Sequence, residues 1–156
     1  MGIDSLSVLG KFQLERAERS SLEALWPHIL NFLLLHKETW QETETVESIR
    51  SEIFNGSLQL WLLLDSERVI RMGIMTRLAY YPRGTALQIV WAQGEEAAHA
   101  VQSIDYLEQQ AKELGCFRVE VQMGRPGWAK LLKPHGYKEV YRVIGRTVDP
   151  TLRMDH

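Results

Sequence analysis

The chain has 156 residues, of which 45% are hydrophobic and 24% are charged. This is the composition of an ordinary globular domain, and it excludes disordered, collagen-like and coiled-coil chains. The 18 Lys and Arg residues nearly balance the 20 Asp and Glu residues, the net charge is −2 and no basic block occurs, so nucleic acid is not an expected partner. The longest apolar run, Leu60–Leu64, is far shorter than the roughly 18 residues of a membrane span, so no membrane association is expected.

At about 150 residues per domain, the length predicts a single domain over residues 1–156. We expect a core over about residues 11–148, a flexible N-terminal segment over 1–10 and a C-terminal tail over 149–156. The single cysteine, Cys116, cannot form an internal disulfide and fits a small buried thiol better than a nucleophile. Because the N-terminus also lacks the basic and apolar segments of a signal peptide, a reducing cytoplasm is the expected compartment.

The first third of the chain predicts a strand and a long helix. Apolar and polar residues alternate over Lys11–Ala17, the period of a half-buried strand. Ser20 and Glu23 have the spacing of a capping box, and apolar residues at helical spacing then continue to about His36. Pro27 lies inside this helix, which either kinks there or holds the proline in its first turn after an irregular start.

A second, short helix and an antiparallel meander follow. Apolar residues recur at helical spacing over Val46–Phe54, and Asn55-Gly56 supplies the left-handed stop that a helix end favours. Gly73 marks a bulge or a close backbone approach within one of the next strands. Three runs of alternating apolar residues predict these strands: Ser57–Leu64, Arg68–Tyr80 and Thr85–Ala92.

The last third predicts a crossover helix and two further strands. After Gly94 the apolar residues change to helical period, and Gly115 closes this helix. A strand over Phe117–Met123, a short helix over Arg125–Lys133 and an extended strand over Gly136–Val148 complete the chain. The five tryptophans are expected in the core or in pocket walls, with a partner for each indole N–H.

This order of elements predicts a mixed α/β (α+β) domain. The long helix joins the fourth and fifth strands and has the length of a crossover, so these two strands should be parallel neighbours in an otherwise antiparallel sheet. A parallel pair of this kind can splay and open a cleft. We therefore expect Trp91 and the Val119–Met123 part of the fifth strand to border one cleft.

The element order over Lys11–Val148 resembles that of the GCN5-related N-acetyltransferase (GNAT) family. Local similarity is best at Val69–Gly73, at the Gly94 turn and in Trp128–Tyr137, where Gly136-Tyr137 stands for the family's Gly-Phe. The resemblance implies a GNAT-like acyl-CoA N-acyltransferase fold. It also implies transfer of an acetyl group from acetyl-CoA to an amine of a small molecule or a protein.

In this family, a loop of the form Gln/Arg-x-x-Gly-x-Gly/Ala opens the long helix, whose N-terminal N–H groups favour a pyrophosphate. The matching register here is Gln93–Ala98, with Glu96 at the central glycine position. A carboxylate there repels a pyrophosphate, although acids in a first turn also simply favour the helix. The cofactor-binding residues that the resemblance implies are Trp91, Ala92, Gln93, Gly94, Glu95, Glu96, Ala97, Ala98 and Arg125.

Arg125 and Leu132 occupy two positions where this sequence departs from the family. Arg125 stands where an asparagine is often found, and it either contacts a phosphate or carboxylate or is a surface arginine beside a turn. Leu132 stands four residues before Gly136, where many members have the tyrosine that protonates the leaving thiolate. A leucine cannot donate a proton.

Glu120 and Tyr137 are the candidate catalytic residues. A base must take a proton from the amine, directly or through water, and Glu120 lies mid-strand beside the expected cleft. Its alternation with Arg118 and Gln122 equally fits a polar sheet face. Tyr137, like two other tyrosines, Tyr106 and Tyr141, is an acid, a pocket wall or an ordinary packed aromatic.

No metal is expected, because none of the histidines His28, His36, His99 and His135 forms a pair two or four residues apart. The alternative function is a GNAT-like domain that has lost catalysis, which Glu96 and Leu132 favour. Its Arg125–Trp128 turn is similar to that of short phage-encoded GNAT-like proteins, some of which are virion components. This alternative adds a second copy of the chain or a virion component as partner, and the host cytoplasm or the virion as location.

Overall fold

We describe a computed structural model, which covers residues 6–9, 12–41, 43–94, 97–122, 126–141, 144–146 and 148. The chain divides into two compact units, Met1–Met123 and Gly124–His156, which are described separately. A single domain over residues 1–156 therefore stays a prediction.

The first unit contains one six-stranded sheet in the order β1-β2-β3-β4-β5-β6. Neighbouring strands are antiparallel except β5 and β6, which are parallel. This confirms the predicted parallel pair on either side of the long helix. The strands are β1 (Leu6–Leu9), β2 (Phe12–Arg16), β3 (Gln59–Leu64), β4 (Ile70–Tyr81), β5 (Gly84–Gly94) and β6 (Arg118–Val121).

The helices of the first unit are α1 (Leu22–Leu35), α2 (Val46–Asn55) and α3 (Ala97–Glu113). In the second unit, α4 (Pro126–Leu132) leads into a 3₁₀ turn over Lys133–His135. The predicted left-handed stops are confirmed after α2 and α3, where Gly56 and Gly115 have φ values of 88° and 76°. Across the described residues, no helix combines the length and the apolar character that a membrane crossing needs.

The core lies between the sheet and the first two helices. Leu60, Leu62 and Leu64 of β3 pack with Met75 of β4 against buried residues of α1 and α2. The opposite face carries α3, because Tyr106 meets the ring of Trp61 edge to face at 6.1 Å. Each fully buried apolar side chain of this size contributes about 1.5–3 kcal/mol. Helices on both faces thus cover β3, as its predicted two-sided burial requires.

Three buried indoles have the hydrogen-bond partners that their burial requires. Trp40 donates to the Leu33 carbonyl at 2.9 Å, Trp61 to the Thr76 hydroxyl at 3.1 Å and Trp91 to the Thr39 hydroxyl at 2.7 Å. The expectation of core tryptophans with paired N–H groups is confirmed for these three.

Two expectations near the N-terminus are wrong. Leu6–Leu9 forms a strand paired with β2, inside the segment that we expected to be flexible. Ser20 belongs to a 3₁₀ turn, the N-cap residue of α1 is Ser21, and its side chain makes no capping bond. Glu23 instead contacts Arg50 at 3.2 Å, and Pro27 lies inside the helix rather than in its first turn.

The extended strand expected over Gly136–Val148 is also wrong for the described residues. Residues 137–141, 144–146 and 148 have no strand structure. The apolar residues Val140, Ile144 and Val148 recur every four positions and are exposed. Their individual β-propensity therefore lacks the alternation that lets one side of a strand be buried.

Candidate active site

The pairing of β5 with β6 covers only part of β5, and we call the unpaired outer edge of β5 over residues 90–94 the opening. The parallel ladder runs from the pair Ala86 and Arg118 to the pair Ile89 and Val121, and the Gln122 N–H then donates to the Ile89 carbonyl at 2.8 Å. β6 ends at Val121, whereas β5 continues along β4 to Gly94. The pairing of the two strands therefore ends at Ile89, and in the described part of the chain no strand pairs with the outer edge of β5 beyond that residue.

A β-bulge lies in β5 at the point where its pairing with β6 ends. Thr76 of β4 pairs with Ile89, but the next β4 residue, Met75, pairs with Trp91, so Val90 is an extra residue in β5. A bulge bends its strand and increases the local twist. It thus redirects β5 at the first residue beyond its last contact with β6.

Gly94 ends β5, and its lack of a side chain is required by packing. A Cβ there would lie 2.7 Å from Cβ of Met72 and 2.8 Å from the backbone oxygen of Arg71. The glycine thus lets β5 lie close to β4 just before the chain enters α3 at Ala97. This explains Gly94 without any contact to a cofactor.

The other predicted cofactor-binding residues are only partly described. Ala92 is buried and Gln93 half-buried on β5, while Ala97 and Ala98 form the first turn of α3, where backbone N–H groups have no intrahelical partner. Glu95, Glu96 and Arg125 lie outside the described residues. The cofactor-binding role of the whole set stays a prediction.

Trp91 was also predicted to bind the cofactor, but its indole is part of the core. The residue is 7% exposed, and its ring meets that of Phe32 edge to face at 6.1 Å. The Trp91 backbone lies on the part of β5 beyond its pairing with β6, while its side chain is committed to α1 and the Thr39 hydroxyl. The cleft expected between Trp91 and Val119–Met123 stays a prediction, and Met123 lies outside the described residues.

Glu120 is buried at 4% exposure among three hydrogen-bond donors. The Tyr81 hydroxyl donates at 2.9 Å, the Gln88 amide at 2.8 Å, and the Arg118 guanidinium forms an ion pair with the carboxylate. Burial raises the pKa of Glu120, but the donors outweigh it and hold that pKa below its ordinary value of 4.5. This arrangement keeps Glu120 anionic and opposes its use as a base near neutral pH.

Arg118 is fixed by the aromatic rings beside it. Its guanidinium carbon lies 5.7 Å from the centre of the Tyr81 ring and 5.3 Å from that of Phe117. Its side chain is 37% exposed, and its buried Nε makes no hydrogen bond within the described structure. On the polar face that alternation suggested, the Glu120 carboxylate is thus buried, while Arg118 is partly exposed and Gln122 is exposed.

Glu52 is a carboxyl group that the sequence analysis did not select. Its pKa is raised above 4.5, first by burial and then by the nearby Glu44, against the opposing charge of Arg77. Glu44 accepts a hydrogen bond from Ser48 at 2.7 Å. The sequence does contain a signal for this group, because three polar residues recur every four positions, the spacing of one helix face: Glu44, Ser48 and Glu52.

Tyr137, the second predicted catalytic residue, belongs to the second unit. It is half-buried, follows Gly136 with its φ of 87°, and its N–H donates to the Leu132 carbonyl at 3.4 Å. Leu132 is buried at 3% exposure, as suits an apolar residue. A catalytic role for Tyr137 stays a prediction.

The remaining candidates have ordinary environments. Tyr106 packs on Trp61, Tyr141 is exposed, and burial raises the pKa of the half-buried Cys116 thiol, which disfavours its thiolate. Within the described residues, no group of three or more His, Cys, Asp or Glu side chains is placed to hold a metal ion.

No protein-family model and no curated protein matches this sequence. Solved structures do match its fold. A predicted acetyltransferase with acetyl-CoA from Clostridium acetobutylicum is 13% identical, with a TM-score of 0.64 over 88% of this chain and 96% of that one. An aminoglycoside acetyltransferase from an uncultured soil metagenomic sample, in complex with trehalose, is 14% identical, with a TM-score of 0.65 over 90% and 99%.

A third match is AAC(6')-Iy in complex with the bisubstrate analogue CoA-S-monomethyl-acetylneamine, at 15% identity and a TM-score of 0.65 over 88% of this chain and 98% of that one. The chain has the GNAT acyltransferase fold. At this level of identity the likeness concerns the fold, and the site residues must be argued from their own chemistry.

Proposed function

We propose that this protein is a GNAT-family N-acetyltransferase that transfers an acetyl group from acetyl-CoA to an amine of a small molecule or a protein. The observation that carries the proposal is the end of the parallel β5–β6 pairing at the Val90 bulge, which leaves the β5 edge beyond Ile89 without a strand partner among the described residues. Similar folds hold acetyl-CoA in the Clostridium acetobutylicum structure and a CoA-linked bisubstrate analogue in AAC(6')-Iy. The aminoglycoside acetyltransferases among the matches favour an amine-bearing small molecule as acceptor.

The backbone of the opening fits the donor. The outer edge of β5 between Val90 and Gly94 offers N–H and C=O groups to an extended amide-containing chain, as a sheet edge does to a peptide. The first turn of α3 at Ala97 offers N–H groups to a pyrophosphate. Glu95 and Glu96 between these two elements are the part of the sequence that disfavours an anion.

Acetyl-CoA supplies the activated acyl group, and the chain must hold the amine and remove its proton. We assign proton acceptance to Glu52 in preference to Glu120, because its raised pKa is shifted in the direction that a base requires. Arg77, which interacts with Glu52, is the register partner of Gln88, so Glu52 lies over the sheet face that carries the Glu120 cluster. Glu120 then serves as a fixed anion of this face.

Leu132 supplies no proton to the leaving thiolate. Thiols ionise with a pKa of about 8.5, so solvent is able to protonate this leaving group near neutral pH. The absence of a tyrosine at this position therefore slows the reaction without forbidding it.

The test is release of free thiol from acetyl-CoA in the presence of a panel of amines that includes aminoglycosides, polyamines and peptide N-termini. The Cys116→Ser variant is used so that the protein itself contributes no thiol. We expect release that requires both protein and amine and saturates with each substrate. Binding of acetyl-CoA without release by any amine would contradict the proposal.

A second candidate is a GNAT-fold binding domain without catalysis, as in a phage structural component. The buried Leu132 and the fully engaged carboxylate of Glu120 favour it, since neither group is available for proton transfer. It predicts association with a second copy or with a virion protein in light scattering, and no thiol release. The enzyme is expected in the cytoplasm, and this alternative in the host cytoplasm or the virion.

A further inference from the structure

Trp91 combines two positions that belong to different parts of the first unit. Its backbone follows the Val90 bulge, on the stretch of β5 beyond its pairing with β6. Its indole lies on the α1 side of the sheet, where it packs against Phe32 at 6.1 Å with an interplanar angle of 86°. One residue therefore contributes to the edge of the opening and to the packing of the helix layer.

A chain of hydrogen bonds joins this indole to the connection between α1 and α2. The Trp91 Nε1–H donates to Oγ1 of Thr39 at 2.7 Å, and that hydroxyl donates its proton to the His36 carbonyl at 2.6 Å. Since a hydroxyl has one proton and accepts at its lone pairs, both bonds form together and polarise each other. Trp40, next in the chain, donates its indole N–H directly to the Leu33 carbonyl of α1.

The space around the indole fixes its orientation. A Cβ on Gly73 would lie 3.0 Å from the Trp91 ring and 3.1 Å from the Phe32 ring, so any larger residue there would require the rings to shift. The glycine that interrupts β4 is thus explained by close packing. Ring, hydroxyl and glycine together leave the Trp91 side chain little rotational freedom.

The bulge also places Trp91 and the Glu120 cluster on one face. Their β4 partners, Met75 for Trp91 and Arg77 for Gln88, are two residues apart and so point to the same side of the sheet. The α1–α2 connection anchored by Thr39 therefore adjoins the face that carries Gln88, Glu120 and the proposed base.

We propose that Trp91 is a positioning residue: through Thr39 it fixes the α1–α2 connection against the opening in the sheet, and this determines how tightly the amine acceptor binds. The inference rests on the proposed function and adds a determinant of acceptor binding to it. A ligand bound along the β5 edge contacts the backbone that carries the Trp91 indole. Because this indole is hydrogen-bonded to Thr39, the position of the α1–α2 connection depends on the position of the β5 edge.

The test compares variants that differ in one hydrogen bond. Thr39→Val removes the hydroxyl with little change in volume, Trp91→Phe removes the indole N–H, and Thr39→Ser retains the hydroxyl as matched control. We expect the acceptor KM to rise about fivefold in the first two, the effect of one net hydrogen bond, with kcat changed less than about twofold. Thr39→Ser should match the wild type in acceptor KM and in acetyl-CoA Kd, and the double variant should add nothing to the larger single effect.

Amide hydrogen exchange of residues 36–41 gives a second measurement, which does not depend on turnover. We expect faster exchange in Thr39→Val than in Thr39→Ser, and slower exchange in the wild type when acetyl-CoA is saturating. An active Thr39→Val enzyme with unchanged acceptor KM would overturn the inference alone. A wild-type protein that neither binds acetyl-CoA nor releases thiol would overturn the proposed function, and the inference with it.

Discussion

Glu120 shows how partners from distant parts of the chain make a buried charge tolerable. A carboxylate without partners would be costly at 4% exposure, but donors from the end of β4, from β5 and from β6 surround it. Alternation in the sequence correctly placed Arg118 and Glu120 on one face. It could not supply Tyr81 and Gln88, because their approach depends on the register of β4, β5 and β6.

Replacement of Glu120 by Gln should lower the free energy of unfolding at pH 7 by about 1–3 kcal/mol, because the Arg118 charge loses its partner. The folded pKa of Glu120 is depressed, so its stabilisation is present above the ordinary value of 4.5 and is lost as the pH falls through the folded pKa. The difference between wild type and variant should therefore shrink in acid. Urea unfolding at pH 7, 5, 4 and 3 measures it, with the exposed Glu18→Gln as control. A difference independent of pH would contradict the ion pair.

The proposed base has the opposite shift, and this gives a prediction for activity. Because the pKa of Glu52 is raised, kcat/KM should fall as the pH drops through a value above 4.5. Glu52→Gln should lose about 100-fold or more in kcat/KM and should also lose this acid limb. In Glu120→Gln the limb should remain. A pH–rate profile that loses its acid limb in Glu120→Gln and keeps it in Glu52→Gln would return the role to Glu120.

Gly94 and Gly73 differ in what stands in the way of a side chain. At Gly94 the obstacle includes the backbone oxygen of Arg71, which cannot move aside, whereas at Gly73 it is the edge of two rings. Gly94→Ala should therefore destabilise the fold by about 1–3 kcal/mol, and by more than Gly73→Ala. Gly145→Ala, which meets nothing within 4 Å, is the matched control. Denaturant midpoints give the order, and equal midpoints for Gly94→Ala and Gly145→Ala would contradict it.

At the level of elements, residue spacing predicted the features that depend on local sequence. The run Leu60–Leu64, the stops at Gly56 and Gly115 and the crossover before β6 follow from spacing alone. β1 was missed because Leu6–Leu9 is too short to show a period and owes its structure to β2. The strand expected at Gly136–Val148 failed for the converse reason: the residue types suit a strand, but their spacing does not bury one side.

The two capping boxes show that a capping motif in the sequence does not always form the corresponding hydrogen bonds. Ser20 and Glu23 match a capping box that does not form, whereas Thr45 and Ser48 form one with two reciprocal bonds of 2.9 Å. Thr45→Ala should cost about 1 kcal/mol of stability. Ser20→Ala should change stability by less than about 0.5 kcal/mol. Thermal unfolding of the two variants tests this, and a larger loss for Ser20→Ala would show that the first box does form.

For the whole molecule, fold and function rest on different residues. Structures only 13–15% identical share the fold over 88–90% of this chain, so the pattern of buried positions carries the architecture. Under the proposed function, donor binding and proton transfer involve positions where this sequence differs from the GNAT pattern that it resembles: Glu96, Arg125 and Leu132. Sequence reasoning therefore predicted the fold and the parallel pair β5 and β6, whereas the pKa shifts and hydrogen-bond partners of the site residues depend on how the sheet face packs.

Binding of acetyl-CoA is the property of the whole molecule that separates the two candidate functions most directly. At 100 times its Kd, acetyl-CoA should stabilise the native state by about 2.7 kcal/mol, a rise in Tm of about 5–10 °C for a domain of this size.

Glu96→Gly removes a negative charge and a side chain at the position where the GNAT family has glycine. It should tighten binding by about 1 kcal/mol, or about fivefold in Kd, and should enlarge the shift. Asp105→Ala removes an exposed charge from α3 away from its first turn and should leave Kd unchanged, which separates a local charge effect from one of net charge. Titration calorimetry gives Kd for the three proteins. Equal values for wild type and Glu96→Gly would mean that the carboxylate does not face the anion, and no shift in Tm with any of them would exclude acetyl-CoA as the ligand.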